Sequence, residues 1–193
     1  IEEAPKVIGI LESLICTGKV RFLAISLNNP DEIKKRVVFE NFPIIQTNFS
    51  LLDMRLALRG SIDYIEKYDI GVLCRTPFNF GFLAKNYALG ARFLDPDHRS
   101  TWPQKQIDQW ISGANLLYST LGLNDLDDVP KRVGLAIQFC LAFPQISSVL
   151  VGSMNENEMA MNVDAAECSP LSEADIESAF TAFAEWESRK SNF

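Results

Sequence analysis

Residues 20–32 have the sequence VRFLAISLNNPDE, in which a short apolar stretch leads directly into a helix start. Val20 to Ser26 is mostly apolar and has no helical stripe, which predicts a strand covered on both faces. Asn29 is a suitable N-cap, Pro30 suits the first helical position, and the two acidic residues that follow complement the helix dipole. We therefore expect a strand that runs straight into a helix.

The same alternation recurs along the rest of the chain. Apolar stretches predict further strands at 43–48, 70–75 and 148–151, and apolar residues at helical spacing predict helices between them. The expected helices cover 5–17, about 56–68, 107–121, a segment opening at Asp128 and Pro130, a segment opening at Asn155, and a closing segment capped by Ser172 and Asp175. Such repetition predicts an α/β fold with a parallel sheet, either open and doubly wound or part of a closed eightfold barrel.

No low-complexity segment or long linker divides the chain, so residues 1–193 are expected to form a single domain. The longest irregular stretch, about 79–103, follows the third strand. Loops of this length inside compact domains are usually functional.

Composition excludes several classes of protein. A net charge of −7 and a pI near 4.8 argue against a nucleic-acid or anionic-membrane surface, since both need a clustered basic patch. No stretch approaches the roughly 18 apolar residues of a membrane span, so we expect a soluble, cytoplasmic protein. The four widely spaced cysteines predict buried free thiols, and a single histidine offers little for a zinc site.

Five segments together carry a family resemblance. They are GKVRFLAIS (18–26), IIQTNFSLLD (44–53), GVLCRTPFNFGFLAK (71–85), DHRSTW (97–102) and VGSMNENEMAMN (151–162). In this order they resemble successive segments of the aldo-keto reductase family. The resemblance implies a (β/α)8 barrel that transfers a hydride from NADPH or NADH to a carbonyl. By segment order, this chain corresponds to strands five to eight of the barrel.

The resemblance assigns the first cofactor contacts to the ends of two strands. The family's fifth strand ends in a Ser-Asn pair that binds the nicotinamide carboxamide. Ser26 matches the serine, but Leu27 replaces the asparagine, and Asn28 follows. Gln46 matches a second carboxamide partner of the family. As a polar residue in an apolar strand, it could instead be an amide satisfied within the core.

After the seventh strand, the family places an aromatic residue or arginine beside the nicotinamide and then a loop around the pyrophosphate. Backbone N–H groups and a lysine are suitable ligands for phosphate oxygens. Without the resemblance, an arginine at a strand end could belong to a buried structural ion pair. The residues that match this segment are Arg75, Thr76, Pro77, Phe78, Gly81, Leu83 and Lys85.

The segment after the eighth strand implies an adenosine site at a helix N-terminus. In the family, a Lys or Arg here binds the 2′-phosphate of NADPH. This chain has no basic residue near Ser153 and an acidic one at Glu158, which favours either NADH over NADPH or a weakened site. The residues at the matching positions are Gly152, Ser153, Asn155, Glu158 and Asn162.

The catalytic residues of the family come from its first four βα units, and none of those units matches this chain. We therefore assign no catalytic residue. His98 lies in a segment that resembles a loop motif of one branch of the family, where it is expected to order the loop; the alternative is a role as proton donor. The four tyrosines match no catalytic position and are assigned to packing or to the surface: Tyr64, Tyr68, Tyr87 and Tyr118.

Three interpretations follow from this missing half. The chain could be part of a complete reductase of small carbonyl compounds whose first half is cleaved, lost or supplied by another chain. It could be a stand-alone half-barrel that acts as a nucleotide-binding or assembly module, or a remnant without function. An exposed half-barrel has two free strand edges, so we expect it to form a homo-oligomer or to recruit its missing half.

Overall fold

One sheet of four parallel strands organises residues 4–190, the part of the chain that the computed structural model describes. The strands lie side by side in chain order: β1 (Ala24–Leu27), β2 (Ile44–Asn48), β3 (Gly71–Arg75) and β4 (Ser148–Leu150). Ser26 is paired with Gln46, and Gln46 with Leu73. The predicted α/β fold with parallel strands is confirmed.

Residues 4–190 also form eight α-helices and three short 3₁₀ helices; the first α-helix precedes β1 and the last two follow β4. The 3₁₀ helices cover Pro30–Lys34, Asn79–Gly81 and His98–Thr101. The α-helices are α1 (Ala4–Cys16), α2 (Arg36–Phe39), α3 (Arg55–Leu58), α4 (Ser61–Lys67), α5 (Gln104–Thr120), α6 (Val129–Leu141), α7 (Glu156–Glu167) and α8 (Glu173–Lys190).

The predicted helix caps are confirmed. The Asn29 side chain accepts a hydrogen bond from the Asp31 N–H and forms a capping box with Glu32. Asp128 caps α6, and the side chain of Asn155 accepts from the N–H of Glu158 at the start of α7. These starts depend on contacts within one turn, which is why the sequence predicts them well.

Two predicted elements have different bounds. The strand expected at Val20–Ser26 begins only at Ala24, because the N–H groups of Lys19 and Val20 still bond to the carbonyl of Leu14 at the end of α1. Gly60, with φ of +69°, divides the helix expected at about 56–68 into α3 and α4. Glycine adopts this left-handed conformation without steric cost.

The two faces of the sheet differ in burial. On one face, Ile45, Thr47, Val72 and Cys74 are completely buried under the helices. On the other face, residues of the same strands are only half-buried, and Ser26 is exposed. The expectation that the first strand is covered on both faces is therefore wrong.

The helices form one layer over the buried face. Within this layer, α5 packs on α8 and α6 packs on α7. At the first contact, Trp186 donates from Nε1 to the carbonyl of Gln109 at 2.9 Å. A Cβ atom on Gly113 would lie 2.5 Å from the Trp186 ring, so the helices can approach this closely only with glycine there.

All four cysteines are free thiols, as predicted, but only two of them are buried. Cys74 and Cys140 lie in the core, whereas Cys16 and Cys168 are exposed. The expectation of burial is wrong for Cys16 and Cys168. Cys16 is the last residue of α1 and Cys168 directly follows α7, so both lie at helix ends, away from the core.

Candidate functional site

Polar side chains gather at the carboxyl end of the half-buried sheet face. Ser26 and Gln46 occupy paired positions on adjacent strands, so their side chains leave the sheet on the same side. Asn48, two residues after Gln46, shares that face and is paired with Arg75. In parallel α/β sheets, ligands bind at this end of the strands.

Arg75 connects the ends of two strands that are not neighbours. Its Nη2 atom donates to the carbonyl of Leu27 and to Oδ1 of Asn28, both at 3.2 Å. Its Nε atom is buried and has no hydrogen-bond partner among the described residues. Arg75 forms no ion pair with any carboxylate of residues 4–190, so the alternative of a structural ion pair is not supported.

Asn48 joins this group, although the sequence did not single it out. The hydroxyl of Thr76 lies 3.1 Å from Oδ1 of Asn48 and 2.7 Å from the carbonyl oxygen of Arg75, and it donates to one of the two. Asn48 is the last residue of β2, and its spacing of two from Gln46 was the signal for a shared face.

The loop after β3 has an unusual backbone. Thr76, Asn79 and Phe80 have φ values of +58°, +43° and +58°, and Gly81 has +93°. A positive φ is rare for a β-branched residue such as Thr76 and costs of the order of 1–3 kcal/mol. Strain of this kind is found preferentially at ligand-binding sites.

Hydrogen bonds within the loop engage many of its N–H groups. Those of Asn79 and Gly81 donate to the carbonyls of Thr76 and Phe78, and those of Leu83 and Lys85 donate to Phe78 and Gly81. A phosphate at this loop would therefore rely on side chains such as those of Arg75 and Lys85.

The hydrophobic members of the predicted loop site point mainly inward. Pro77 and Leu83 are buried, and Leu83 has no exposed surface. Phe78 is half-buried against Val133 and Ile137 of α6. These three side chains fix the loop on the core, and only their backbones could face a ligand.

A second polar group lies at the start of α7. The Met154 N–H donates to Oε2 of Glu158 at 2.8 Å, and Asn162 donates from Nδ2 to Oγ of Ser153 at 2.9 Å. Asn162 is buried, whereas Gly152 and Asn155 are exposed. Glu158 thus places a carboxylate at the N-terminus of the helix, where the helix dipole stabilises a negative charge.

Lys85 links the two groups. Its Nζ atom lies 3.8 Å from Oε1 of Glu158, and the lysine side chain remains 58% exposed. The pair brings the loop after β3 and the start of α7 to a common surface. Lys85 supplies a positive charge there that can attract the phosphate groups of a ligand.

Comparison with known proteins identifies the family of this chain. Residues 2–180 match the sequence model of the Aldo/keto reductase family. The chain belongs to this family.

Among curated proteins, the chain is 26% identical over 169 residues to an uncharacterized oxidoreductase, YqkF, of Bacillus subtilis (strain 168), covering 88% of this chain and 52% of that protein. It is 25% identical over 138 residues to a probable voltage-gated potassium channel subunit beta of Oryza sativa subsp. japonica, covering 67% of this chain and 40% of that protein. The chain thus spans about half the length of these relatives, or less.

Two solved structures share the fold. The aldo-keto reductase AKR11C1 from Bacillus halodurans, in its apo form, superposes with a TM-score of 0.68 at 23% identity, covering 91% of this chain and 55% of that one. The glycerol dehydrogenase AKR11B4 from Gluconobacter oxydans gives a TM-score of 0.70 at 18% identity, covering 91% and 52%. At these identities the likeness concerns the fold alone.

The DHRSTW segment of this aldo/keto reductase chain forms an ordered turn beside the site loop. Arg99 pairs with Asp97 at 2.6 Å, donates to the carbonyl of Phe80 at 3.1 Å, and lies 3.8 Å from the ring centroid of Phe93. Hydrogen bonds from the Arg99 side chain, then from its N–H, lower the pKa of Asp97 to about 2. His98 contacts the rings of Phe80 and Trp102 and helps to order this turn, as predicted.

The four tyrosines serve packing. Tyr64 and Tyr68 lie against the ring of Phe39, and Tyr87 accepts a hydrogen bond from Arg99. Tyr118 is completely buried, and burial raises the pKa of its hydroxyl above the ordinary value. A phenol in that setting is a poor proton donor for a ligand, which agrees with its assignment to packing.

Two further findings concern the described part of the chain. Within residues 4–190, no three His, Cys, Asp or Glu side chains come together in a way that could hold a metal ion. None of the helices there has the length and apolarity needed to cross a membrane.

Proposed function

We propose that this chain is the cofactor-binding part of an NAD(P)H-dependent carbonyl reductase, with NADH favoured. In that reductase, its four strands form the second half of a closed (β/α)8 barrel. The observation that carries the proposal is the convergence of Ser26, Gln46 and the guanidinium of Arg75 at the carboxyl end of one sheet face. Family membership supports an oxidoreductase.

The polar groups at this edge fit a nicotinamide. A carboxamide needs both a donor and an acceptor, and the amide of Gln46 together with the hydroxyl of Ser26 can supply both. The Nε atom of Arg75 is buried beside them and has no hydrogen-bond partner among the described residues. Asn28 and Asn48 hold Arg75 and Thr76 in place around this position.

The phosphates and the adenosine would extend toward α7. Lys85 offers a mobile positive charge between the strained loop and the start of that helix. Gly152, Ser153, Asn155 and Asn162 surround the helix N-terminus, but Glu158 already provides the negative charge there. A 2′-phosphate would meet this carboxylate, which is why we favour NADH.

When bound, the cofactor supplies the hydride for reduction of a carbonyl. Ser26 and Gln46 orient the nicotinamide from one side, and Lys85 binds the phosphates. Arg75 lies between these two positions and holds the strand ends together. The proton for the carbonyl oxygen must come from another part of the protein, because the described tyrosines are engaged in packing. Further βα units that close the barrel would supply it, and the substrate is a small carbonyl compound.

The half-buried face of the sheet supports a closed barrel. Parallel sheets are normally covered on both faces. Here Ile44, Leu73 and Leu150 lie on the uncovered face, and β1 and β4 form the two sheet edges. Four more strands joined to these edges would close a barrel and bury that face.

Replacing Gln46 by Ala tests the proposal. We expect NADH affinity to fall about three- to tenfold, since a hydrogen bond contributes about 0.5–1.5 kcal/mol. Quenching of tryptophan fluorescence measures the binding. Gln145→Ala is a matched control. Gln145 precedes the amino end of β4, opposite the candidate site, and donates a hydrogen bond to Glu66 there. Equal affinities for both variants would contradict the role of Gln46.

A second candidate function is a stand-alone half-barrel that binds a nucleotide or assists assembly without catalysis. All four described tyrosines are engaged in packing. This favours a binding module over a chain that catalyses reduction on its own. NADH binding without reduction of test aldehydes would support the binding module. Reduction by the isolated chain would show instead that its own residues supply the proton.

A further inference from the structure

Arg132 in α6 is a buried guanidinium for which no ion pair is found among residues 4–190. Its exposed fraction is 1%, and it is the largest fully buried side chain in the described structure. Burial lowers the pKa of this group, which shows that its surroundings disfavour the charge. A buried unpaired charge is expensive to keep. An apolar residue would serve better if Arg132 only filled space.

The partners of Arg132 are backbone carbonyls of loops. Nη2 donates to the carbonyl of Phe82 at 2.8 Å and to that of Lys85 at 2.9 Å, and Nη1 donates to that of Leu126 at 3.3 Å. The first two belong to the loop after β3. Only a planar fork of donors can reach carbonyls in these different directions.

Tyr118 of α5 completes the arrangement. Its ring centroid lies 4.5 Å from the guanidinium carbon of Arg132, within the range of a cation–π interaction. Its hydroxyl lies 2.6 Å from the carbonyl oxygen of Leu83 and 3.0 Å from that of Arg132, and the shorter distance favours donation to Leu83. Two buried side chains from two helices thus hold three carbonyls of the segment 82–85.

This segment connects two groups of the candidate site. Arg75 and Thr76 precede it at the end of β3, and Lys85 ends it beside Glu158. The loop 76–85 contains three non-glycine residues with positive φ, Thr76, Asn79 and Phe80, a conformation that costs energy and needs support from the surrounding structure. An anchor beneath residues 82–85 keeps the strained part of the loop in place.

We propose that Arg132, together with Tyr118, is a positioning residue that holds the loop 76–85 in its cofactor-binding shape. The inference rests on the proposed function. Arg132 and Tyr118 contact the loop from its buried side. They would affect a bound dinucleotide indirectly, by fixing the positions of Arg75 and Lys85. The positive charge beneath the loop also favours phosphate groups above it.

The experiment compares Arg132→Lys, Arg132→Met and Tyr118→Phe with the wild type by two readouts. The first is NADH affinity, with AMP as a probe of the α7 end alone. The second is hydrogen exchange of the amides in 79–85. We expect both Arg132 variants to lower NADH affinity at least about tenfold, to affect AMP much less, and to speed exchange in the loop. Tyr118→Phe, the mildest change, is expected to act in the same direction.

A stability-matched control separates positioning from a general loss of stability. Ile65→Ala creates a cavity in α4, which packs on α3 and the first 3₁₀ helix. It is expected to lower Tm while leaving loop exchange and NADH affinity unchanged. If Arg132→Lys and Tyr118→Phe only lower Tm, as Ile65→Ala does, and leave loop exchange unchanged, the positioning role is wrong. Failure of the wild type to bind NADH would overturn the proposed function, and the exchange readout would still decide on the anchor.

Discussion

Arg75 shows how much of the site depends on single side chains. The resemblance predicted its importance, but its contacts with Leu27 and Asn28 connect strands that are not neighbours in the sheet. No local pattern encodes such a bridge. The spacing of two from Gln46 places Asn48 on the same sheet face, but its contact with Thr76, 28 positions away, could not be predicted. Gln46 was assigned through the resemblance, and an amide in an apolar strand needs a polar partner in any case.

Glu158 is expected to determine the choice of cofactor. Glu158→Gln keeps an acceptor for the Met154 N–H but removes the charge at the start of α7. NADPH affinity relative to NADH should rise about two- to fivefold, because a charge at a helix terminus is worth about 0.3–1 kcal/mol. Titrations with both cofactors measure the ratio, and Glu167→Gln at the far end of the helix is the control. An unchanged ratio would remove the basis for favouring NADH.

At the scale of elements, the sequence predicted the features that depend on contacts within one turn. It did not predict the features that depend on tertiary packing. The caps at Asn29, Asp128 and Asn155 lie within one turn of the groups that they bond, so the sequence shows them directly. The break at Gly60 depends on how α3 and α4 pack. Glycine is tolerated in many helices, so the sequence alone gave no reason to divide the segment there.

The turn that carries Asp97 should be sensitive to acid. The pKa of Asp97 is lowered from the ordinary 3.8 to about 2. A lowered pKa stabilises the folded turn above the unfolded value, and this stabilisation is lost as the pH falls from about 4 through 2. Fluorescence of the nearby Trp102 should change over that window in the wild type. Asp97→Asn should lack this component, and identical titrations for both proteins would contradict the assignment.

The contact between α5 and α8 should not tolerate a side chain at Gly113. In Gly113→Ala, the new Cβ would lie 2.5 Å from the ring of Trp186 and 2.7 Å from Leu52. Overpacking of this kind costs about 1–3 kcal/mol of the free energy of unfolding. Urea denaturation measures the loss. Gly134→Ala in α6 is the control, because its nearest neighbour is 3.5 Å away and alanine favours helix, so its stability should stay equal or rise.

For the whole molecule, the uncovered sheet face is the feature with the widest consequences. The sequence predicted parallel βα units, because their alternation is visible along the chain. It could not show that one sheet face stays open, since burial depends on what lies across from each strand. The same limit applied to Cys16, at the end of α1, and to Cys168, just after α7, which were expected to be buried and are exposed.

The isolated chain is expected to self-associate as its concentration rises. Leu150 is 39% exposed on the edge strand β4, where an unpaired backbone can add another strand. Leu150→Lys should reduce association, whereas Leu58→Lys, on an exposed part of α3, should not. Sedimentation velocity over a range of concentrations measures the effect. A wild-type chain that stays monomeric throughout would show that the open face does not drive association.

The two buried thiols behind the sheet have a practical consequence. Cys74 and Cys140 both lie within hydrogen-bond reach of the Phe49 carbonyl oxygen, at 3.1 and 3.5 Å. The hydrogen bond with Cys74, and then burial, raise the pKa of the Cys140 thiol. An alkylating reagent should therefore modify Cys16 and Cys168 at once, but the inner pair only when β3 and α6 separate. The slow phase of alkylation thus reports how often the core of this chain opens, with no added probe.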